Sequence, residues 1–181
     1  MDRQPRLEGS RIILRPMTAA DRDALYQIAH DPLLWEQHPF RDRWKTDVFS
    51  AFFDEGLAAG GALVAVERGS DRVIGSSQYR PNALDPQAME IGWSYIARSL
   101  WGSGINAEMK RLMLAHALQS VPRVLFRVGE ANWRSRKAME KIGGRLTDMV
   151  EEVERAGQLI RHVVFEITRE SFAAGPLAPG N

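Results

Sequence analysis

Two glycines spaced two residues apart, in Trp101-Gly102-Ser103-Gly104-Ile105-Asn106-Ala107-Glu108, constrain this chain more than any other segment. They form a tight turn that leaves an alternating, strand-like stretch and opens an amphipathic helix. The first amides of a helix have no intrahelical partner and sit at the positive end of its dipole. Without a Cβ, glycine lets a phosphate approach those amides closely. Further along, Asn132-Trp133-Arg134-Ser135 opens a second helix after a second strand. Together the two segments point to a long phosphorylated ligand lying across a sheet.

Composition removes several other classes. A chain of 181 residues fits one domain with a single core. That domain is read over residues 7–170, followed by a C-terminal tail over 171–181 that frays from Ala173. The 24 basic and 23 acidic residues leave a net charge of +1 with both signs dispersed, which argues against a nucleic-acid partner. The absence of cysteine excludes disulfides, thiolate metal sites and cysteine nucleophiles, and favours a cytoplasmic protein. The start, Met1 to Arg6, lacks the apolar stretch of a signal peptide. Gly56 to Val66 is too short and glycine-rich to span a bilayer, so no membrane partner is expected. His30, His38, His116 and His162 have no paired ligand spacing, so no metal is expected. His116 reads as a core residue, on a helical stripe with Ile105, Met109 and Leu112.

Periodicity orders the rest. Arg11–Arg15 reads as a strand, and Thr18 and Asp21 open a helix with Ala24, Leu25, Ile28 and Ala29 on one side. Leu33–Trp44 reads as a loop. Thr46–Ala59 reads as a helix burying Val48, Phe49, Phe52, Phe53 and Leu57. Ala62–Glu67 and Arg72–Tyr79 form a hairpin. After a Pro81–Pro86 loop, Ala88–Ile96 alternates, with Met89, Ile91, Trp93 and Tyr95 on one face and Glu90, Gly92, Ser94 and Ile96 on the other. A helix to Leu118, a strand over Arg123–Val128 and a helix over Asn132–Ile142 follow, stopped by Gly143-Gly144. Strands near Arg145–Glu152 and Leu159–Thr168 close the domain. A meander joined to one βαβ crossover predicts a mixed sheet with helices on both faces.

Gly102-x-Gly104-x-x-Ala107 also satisfies the dinucleotide fingerprint. Against it stand an alternating preceding strand, no acidic residue at the end of the next strand (Arg123–Arg127), and a position after a meander rather than in an opening βαβ unit. No Gly-Lys-Ser or Gly-Lys-Thr follows, so a Walker-type loop is weaker still. A plain helix-start turn with no ligand is the simplest alternative, and the second motif weighs against it.

The chain resembles the GCN5-related N-acetyltransferase (GNAT) family, and within it the RimJ/RimL-like branch that modifies ribosomal-protein N termini. The resemblance spans about residues 7–170. It runs through Leu7-Glu8-Gly9, Leu14-Arg15-Pro16, Asp31-Pro32-x-x-Trp35 and Glu90-Ile91-Gly92-Trp93. It is strongest at Trp101-Gly102-x-Gly104-x-x-x-Glu108 and at Asn132-x-x-Ser135-x-x-Ala138-x-x-x-x-Gly143. It implies an α+β, GNAT-type, largely antiparallel mixed sheet of six to seven strands, with helices on both faces and one βαβ cofactor-binding crossover. It implies acetyl-CoA as donor, with the pyrophosphate on the turn formed by Trp101, Gly102, Ser103, Gly104, Ile105 and Asn106. The pantetheine would add beside Ser94, Tyr95 and Ile96, Asn132 would bond to it, and Ser135 would face the sulfur. Ser99 stands where the family usually has Gln or Arg, with Arg98 one place early. Met139 replaces the tyrosine that many members use as an acid, leaving Ser135 in the branch pattern. Arg134 and Lys137 are candidates for the cofactor phosphates, a solvated helix face being the plain alternative.

Acetyl transfer needs a neutral amine. Deprotonating a lysine-like amine at pH 7 costs about 4.6 kcal/mol, and an α-amine about 1–1.4 kcal/mol. An N-terminal acceptor therefore manages with a weak base or a water chain. Glu90 is the best base, with a solvated strand carboxylate as its alternative; Glu36 and His38 are weaker. Serine is less acidic than a thiol, so a hydrogen bond to the developing thiolate suits Ser135 better than full proton transfer. Direct acetyl transfer to a primary amine, either a protein N terminus or a small molecule, is the leading expectation. A non-catalytic acyl-CoA-binding regulatory domain is the alternative, a nicotinamide-dependent oxidoreductase is more distant, and the protein is a monomer or homodimer.

Overall fold

The computed structural model describes residues 1–83, 85–155 and 157–178. In chain order these form β1 (Leu7–Glu8), β2 (Ile12–Pro16), α1 (Arg22–Ala29), α2 (Thr46–Ala58), β3 (Ala62–Glu67), β4 (Val73–Pro81) and β5 (Ala88–Ile96). Then come α3 (Ile105–Ala117), β6 (Arg123–Gly129), α4 (Trp133–Lys141), β7 (Arg145–Arg155), β8 (Gln158–Thr168) and α5 (Arg169–Ala173). One sheet of eight strands runs β1-β2-β3-β4-β5-β6-β8-β7. Every neighbouring pair is antiparallel except β5 and β6, which α3 joins as a crossover. The strand beyond the expected six to seven is β1, a two-residue pairing of Leu7 with Leu14 and Glu8 with Ile13. Two residues carry no readable periodicity.

Each face of the sheet has its own core. On one side Met109, Met113 and Leu114 of α3 pack with Ile12, Leu14, Leu63, Ile91 and Phe165. On the other, Leu25 and Ala29 of α1 and Phe49 and Phe53 of α2 pack with Val64, Val66 and Tyr95. Full burial of one such side chain contributes about 1.5–3 kcal/mol.

The structure corrects three expectations. Strict alternation along β5 fails at a bulge, where the pairing with β4 shifts between Ser76 and Gln78 and Trp93 takes φ +53°. The extra residue swaps the faces beyond it. Ile96 joins Met89 and Ile91 beneath α3, and Tyr95 joins the opposite core. On α3 the buried face runs through Ile105, Met109, Lys110, Met113, Leu114 and Ala117, so the expected stripe holds at Ile105 and Met109, whereas Leu112 and His116 are only partly buried. His116 lies at its margin, its Nε2 2.8 Å from the Asp2 carbonyl. The third concerns the chain end. Residues 169–173 are helical with Phe172 buried, and Leu177 packs against the main core, so fraying does not begin at Ala173. Leu84 of the expected Pro81–Pro86 loop and residues 179–181 of the expected tail lie outside the described residues.

Candidate active site

Past Glu90 the two parallel strands part. Their register holds for Ala88 with Arg123, Met89 with Val124 and Glu90 with Leu125, and no later residue of β5 pairs with β6. The resulting V is closed at its sides by the beginnings of α3 and α4. A cleft of about 530 Å³ is lined by Ser94, Tyr95, Ile96, Trp101, Gly102, Gly104, Asn106, Asn132, Arg134, Ser135 and Lys137. A second, of about 390 Å³, is lined by Glu90, Trp93, Lys110, Arg127 and His162. Ser94, Asn106, Asn132 and Ser135 line both, so the clefts meet there.

At the mouth of the larger cleft, Gly102 and Gly104 have φ of +76° and +87°, a conformation that side-chain-bearing residues rarely adopt. A Cβ on Gly102 would meet nothing within 4 Å, so the turn is open to an approaching group. Asn106 and Ala107 lie in the first turn of α3, where amides lack intrahelical partners. Arg11 braces the turn by donating from Nη1 to the Ser103 carbonyl (2.8 Å) and pairing through Nε with Glu108 (3.0 Å). Burial works to raise the Glu108 pKa, but hydrogen bonds from Arg11 and Ser10 prevail and hold it below the usual range. A braced helix N-terminus whose N-cap, Gly104, supplies no side-chain hydrogen bond fits a phosphorylated donor.

The second motif forms the facing wall. Asn132 caps α4, its Oδ1 accepting from the Ser135 amide at 3.2 Å. Its Nδ2 remains a donor. The Arg134 guanidinium lies 4.0 Å from the Trp101 ring centroid, and its amide donates to Gln37 Oε1 at 3.0 Å. Lys137 is exposed along the same wall. Met139 is buried in the core, and a thioether donates no hydrogen bond.

Not every expected residue reaches the cleft. Arg98 pairs with Asp31 at 2.6 Å and is not among the lining residues. Ile105 is buried, the Ser103 hydroxyl donates to the Leu100 carbonyl at 2.6 Å and accepts from the Ile105 amide at 3.4 Å, and neither residue is among those lining the cleft. Glu36 is exposed, 3.5 Å from Arg134, whereas His38 lines both clefts.

Glu90 is not a solvated strand carboxylate. It is 5% exposed, 3.2 Å from the Arg127 guanidinium, and Asn82 Nδ2 donates to it at 3.4 Å. Burial raises its pKa above the ordinary carboxylate value, with Glu151 adding to the rise and Arg127 opposing it. Arg127 also pairs with Glu151 and lies 5.7 Å from the Trp93 ring centroid, with the Arg80 guanidinium 3.9 Å from the same ring.

Two cleft residues escaped the sequence reading. His162 is buried with Nδ1 unpartnered among the described residues, and burial, reinforced by Arg127, lowers its pKa. Lys110 is 2% exposed, and burial brings its pKa down to about 7. A signal for Lys110 existed: it shares i, i+3, i+4, i+7 spacing with Met113, Leu114 and Ala117, which puts a lysine on an apolar face. His162 sits in an alternating strand with nothing to set it apart.

The sequence matches the family model for an acetyltransferase (GNAT) domain over residues 11–145. No curated protein matches the chain. Among solved structures, a GCN5-related N-acetyltransferase from Brucella melitensis superposes with a TM-score of 0.80 at 16% identity, covering 94% of this chain and 81% of that one. A probable GNAT-family acetyltransferase from Chromobacterium violaceum gives 0.80 at 21% identity, covering 92% and 87%. RimJ of Mycobacterium smegmatis, solved in complex with CoA-disulfide, gives 0.67 at 19% identity, covering 92% and 86%. With the family model spanning most of the sequence and the same fold in these proteins, the chain belongs to the GNAT acetyltransferase family, whose acyl donor is acetyl-CoA.

Proposed function

We propose that this acetyltransferase acts directly on a primary amine, with a protein N-terminal α-amine in the manner of the RimJ/RimL-like branch as the leading acceptor and a small-molecule amine as the other. The observation that carries this reading is the meeting of two clefts at Ser94, Asn106, Asn132 and Ser135. A binding-only domain needs the larger cleft, whereas transfer also needs an approach for the acceptor. RimJ, similar in fold, supports the branch. The acting unit is the domain over residues 7–170, and its expected location is the cytoplasm.

In this reading the amides of the Gly102–Asn106 turn hold the pyrophosphate, with Lys137 and Arg134 beside it. The backbone of Ser94–Ile96 and the Asn132 amide hold the pantetheine. The acceptor enters past Glu90, Trp93 and His162. Its nitrogen attacks the thioester carbonyl and loses a proton to Glu90, directly or through water. The Ser135 hydroxyl donates to the sulfur as negative charge develops there, an interaction strongest in the transition state. An α-amine fits a base as weak as a carboxylate, since its own ionisation leaves about 1–1.4 kcal/mol to overcome at pH 7.

The test is a screen of acetyl-CoA consumption against peptides with free N termini, amino acids, polyamines and aminoglycosides. Turnover with a free N terminus, lost when that terminus is blocked, supports the proposal. CoA binding with no turnover on any amine favours the regulatory alternative.

A further inference from the structure

Where β4, β5 and α3 converge, three polar side chains bond to one another. Ser77 and Ser94 hydroxyl oxygens are 2.7 Å apart. Lys110 Nζ donates to Ser77 at 3.3 Å and to Ser94 more closely. The β5 bulge makes this possible: Ser77 lies opposite the extra residue, and the change of face turns Ser94 toward α3. Ser77 and Lys110 are buried, whereas Ser94 is exposed where the two clefts join. Hydroxyls and the Phe126 ring, 5.6 Å away, surround the lysine nitrogen, and no ion pair reaches it among the described residues.

A hydroxyl in reach of a base that is itself held by a third group is the arrangement of an activated nucleophile. We propose that Ser94, with Lys110 as its base and Ser77 as positioning residue, accepts the acetyl group from acetyl-CoA as an ester and passes it to water, an acetyl-CoA hydrolase activity that needs no amine. The proposal rests on the reading of the larger cleft as the thioester site. The Ser94 Oγ proton moves to neutral Lys110 Nζ as Oγ bonds to the carbonyl carbon. The carbon–sulfur bond breaks, its electron pair stays on sulfur, and the Lys110 ammonium returns the proton to give the CoA thiol. Water then adds to the ester, its proton passing through Lys110 to Ser94 Oγ. Acetyl-CoA and water become CoA, acetate and one proton. Burial beside hydroxyls favours the neutral amine this chemistry requires.

The test is incubation of the protein with acetyl-CoA alone, following CoA release and mapping acetylated peptides after an acid quench. Calorimetry of CoA binding and one amine-dependent assay run in parallel. The proposal expects CoA and acetate without amine, and an acetyl group on Ser94 that hydroxylamine removes. Ser94→Ala, at an exposed position, should abolish that label and slow release about 100-fold or more, the scale of a positioned base and nucleophile. Lys110→Met should do the same, and Ser77→Ala should move the pH midpoint of release to lower pH, which a merely structural role would leave in place. Three results overturn the proposal: release undiminished in Ser94→Ala, a hydroxylamine-stable label on Lys110, or neither label nor release in a protein that binds CoA and acetylates an amine. A protein that binds no CoA contradicts the cofactor reading itself.

Discussion

The guanidinium of Arg134 stacks on the indole of Trp101 with 4.0 Å between its carbon and the ring centroid. This contact ties the beginning of α4 to the glycine turn that opens α3, so the two walls of the larger cleft are coupled across the gap left by the parted strands. Cation–π contacts of this kind are worth about 0.5–2 kcal/mol. Arg134→Met and Trp101→Leu should each weaken CoA binding about 2- to 30-fold, and the double variant should lose less than the two added together. Calorimetry on the four proteins measures the coupling, and strict additivity would show that the stack has no part in shaping the cleft.

Ser135→Ala should lower turnover about 10–150-fold, the value of a hydrogen bond to a charged group at about 1.5–3 kcal/mol. CoA affinity should change little, because the bond strengthens only as sulfur becomes negative. The cap from Asn132 reaches the backbone amide of residue 135 and survives the substitution. Matching losses of rate and affinity would make Ser135 a binding residue.

Glu90 carries a pKa raised mainly by burial, so its base-competent form appears at higher pH than for an exposed carboxylate. The pH–rate profile with an α-amine acceptor should therefore show an acid limb above the ordinary carboxylate range. Glu90→Gln should remove that limb and lower kcat/KM by about 10²–10⁴-fold at neutral pH. Superposable profiles for parent and variant would assign the proton to water instead.

Lys110 links the site to stability. Its pKa is about 7 in the folded chain against 10.5 for a free lysine, because burial penalises the ammonium. Between about pH 7 and 10 the unfolded chain binds more protons than the folded one, so this residue makes stability rise with pH across that window. Urea midpoints of the parent and Lys110→Met should show the parent gaining on the variant from about pH 7 to 9. A constant difference would mean the amine keeps its ordinary protonation in the fold.

Much of this was legible beforehand because local and global signals agree. Glycines at Gly102 and Gly104, where φ is positive, and an Asn132 cap four residues before Arg136 mark the helix starts directly. What was hidden depends on long-range placement. The bulge at Trp93 cannot be read from a strand that alternates on both sides of it, and it decides which face Ser94 and Tyr95 occupy. Arg98 follows its pairing with Asp31, a residue far away in sequence. Glu90 reads either as a base or as a solvated strand carboxylate until Arg127 and Glu151 are brought beside it by β6 and β7. His162 similarly acquires its meaning only from the elements packed around it.

The binding of an anionic donor by the glycine turn is the claim on which the rest depends, and Gly102 offers the most direct test. Its φ of +76° strains any side chain, while a Cβ there meets no atom within 4 Å. Asp and Asn tolerate that conformation better than other residues and differ chiefly in charge. The measurement is CoA affinity by calorimetry for Gly102→Asp beside Gly102→Asn. The account predicts that Asp weakens binding by about tenfold or more beyond Asn, roughly 1.4 kcal/mol of repulsion between carboxylate and pyrophosphate, with the excess shrinking at high salt. Equal affinities in the two variants would contradict it.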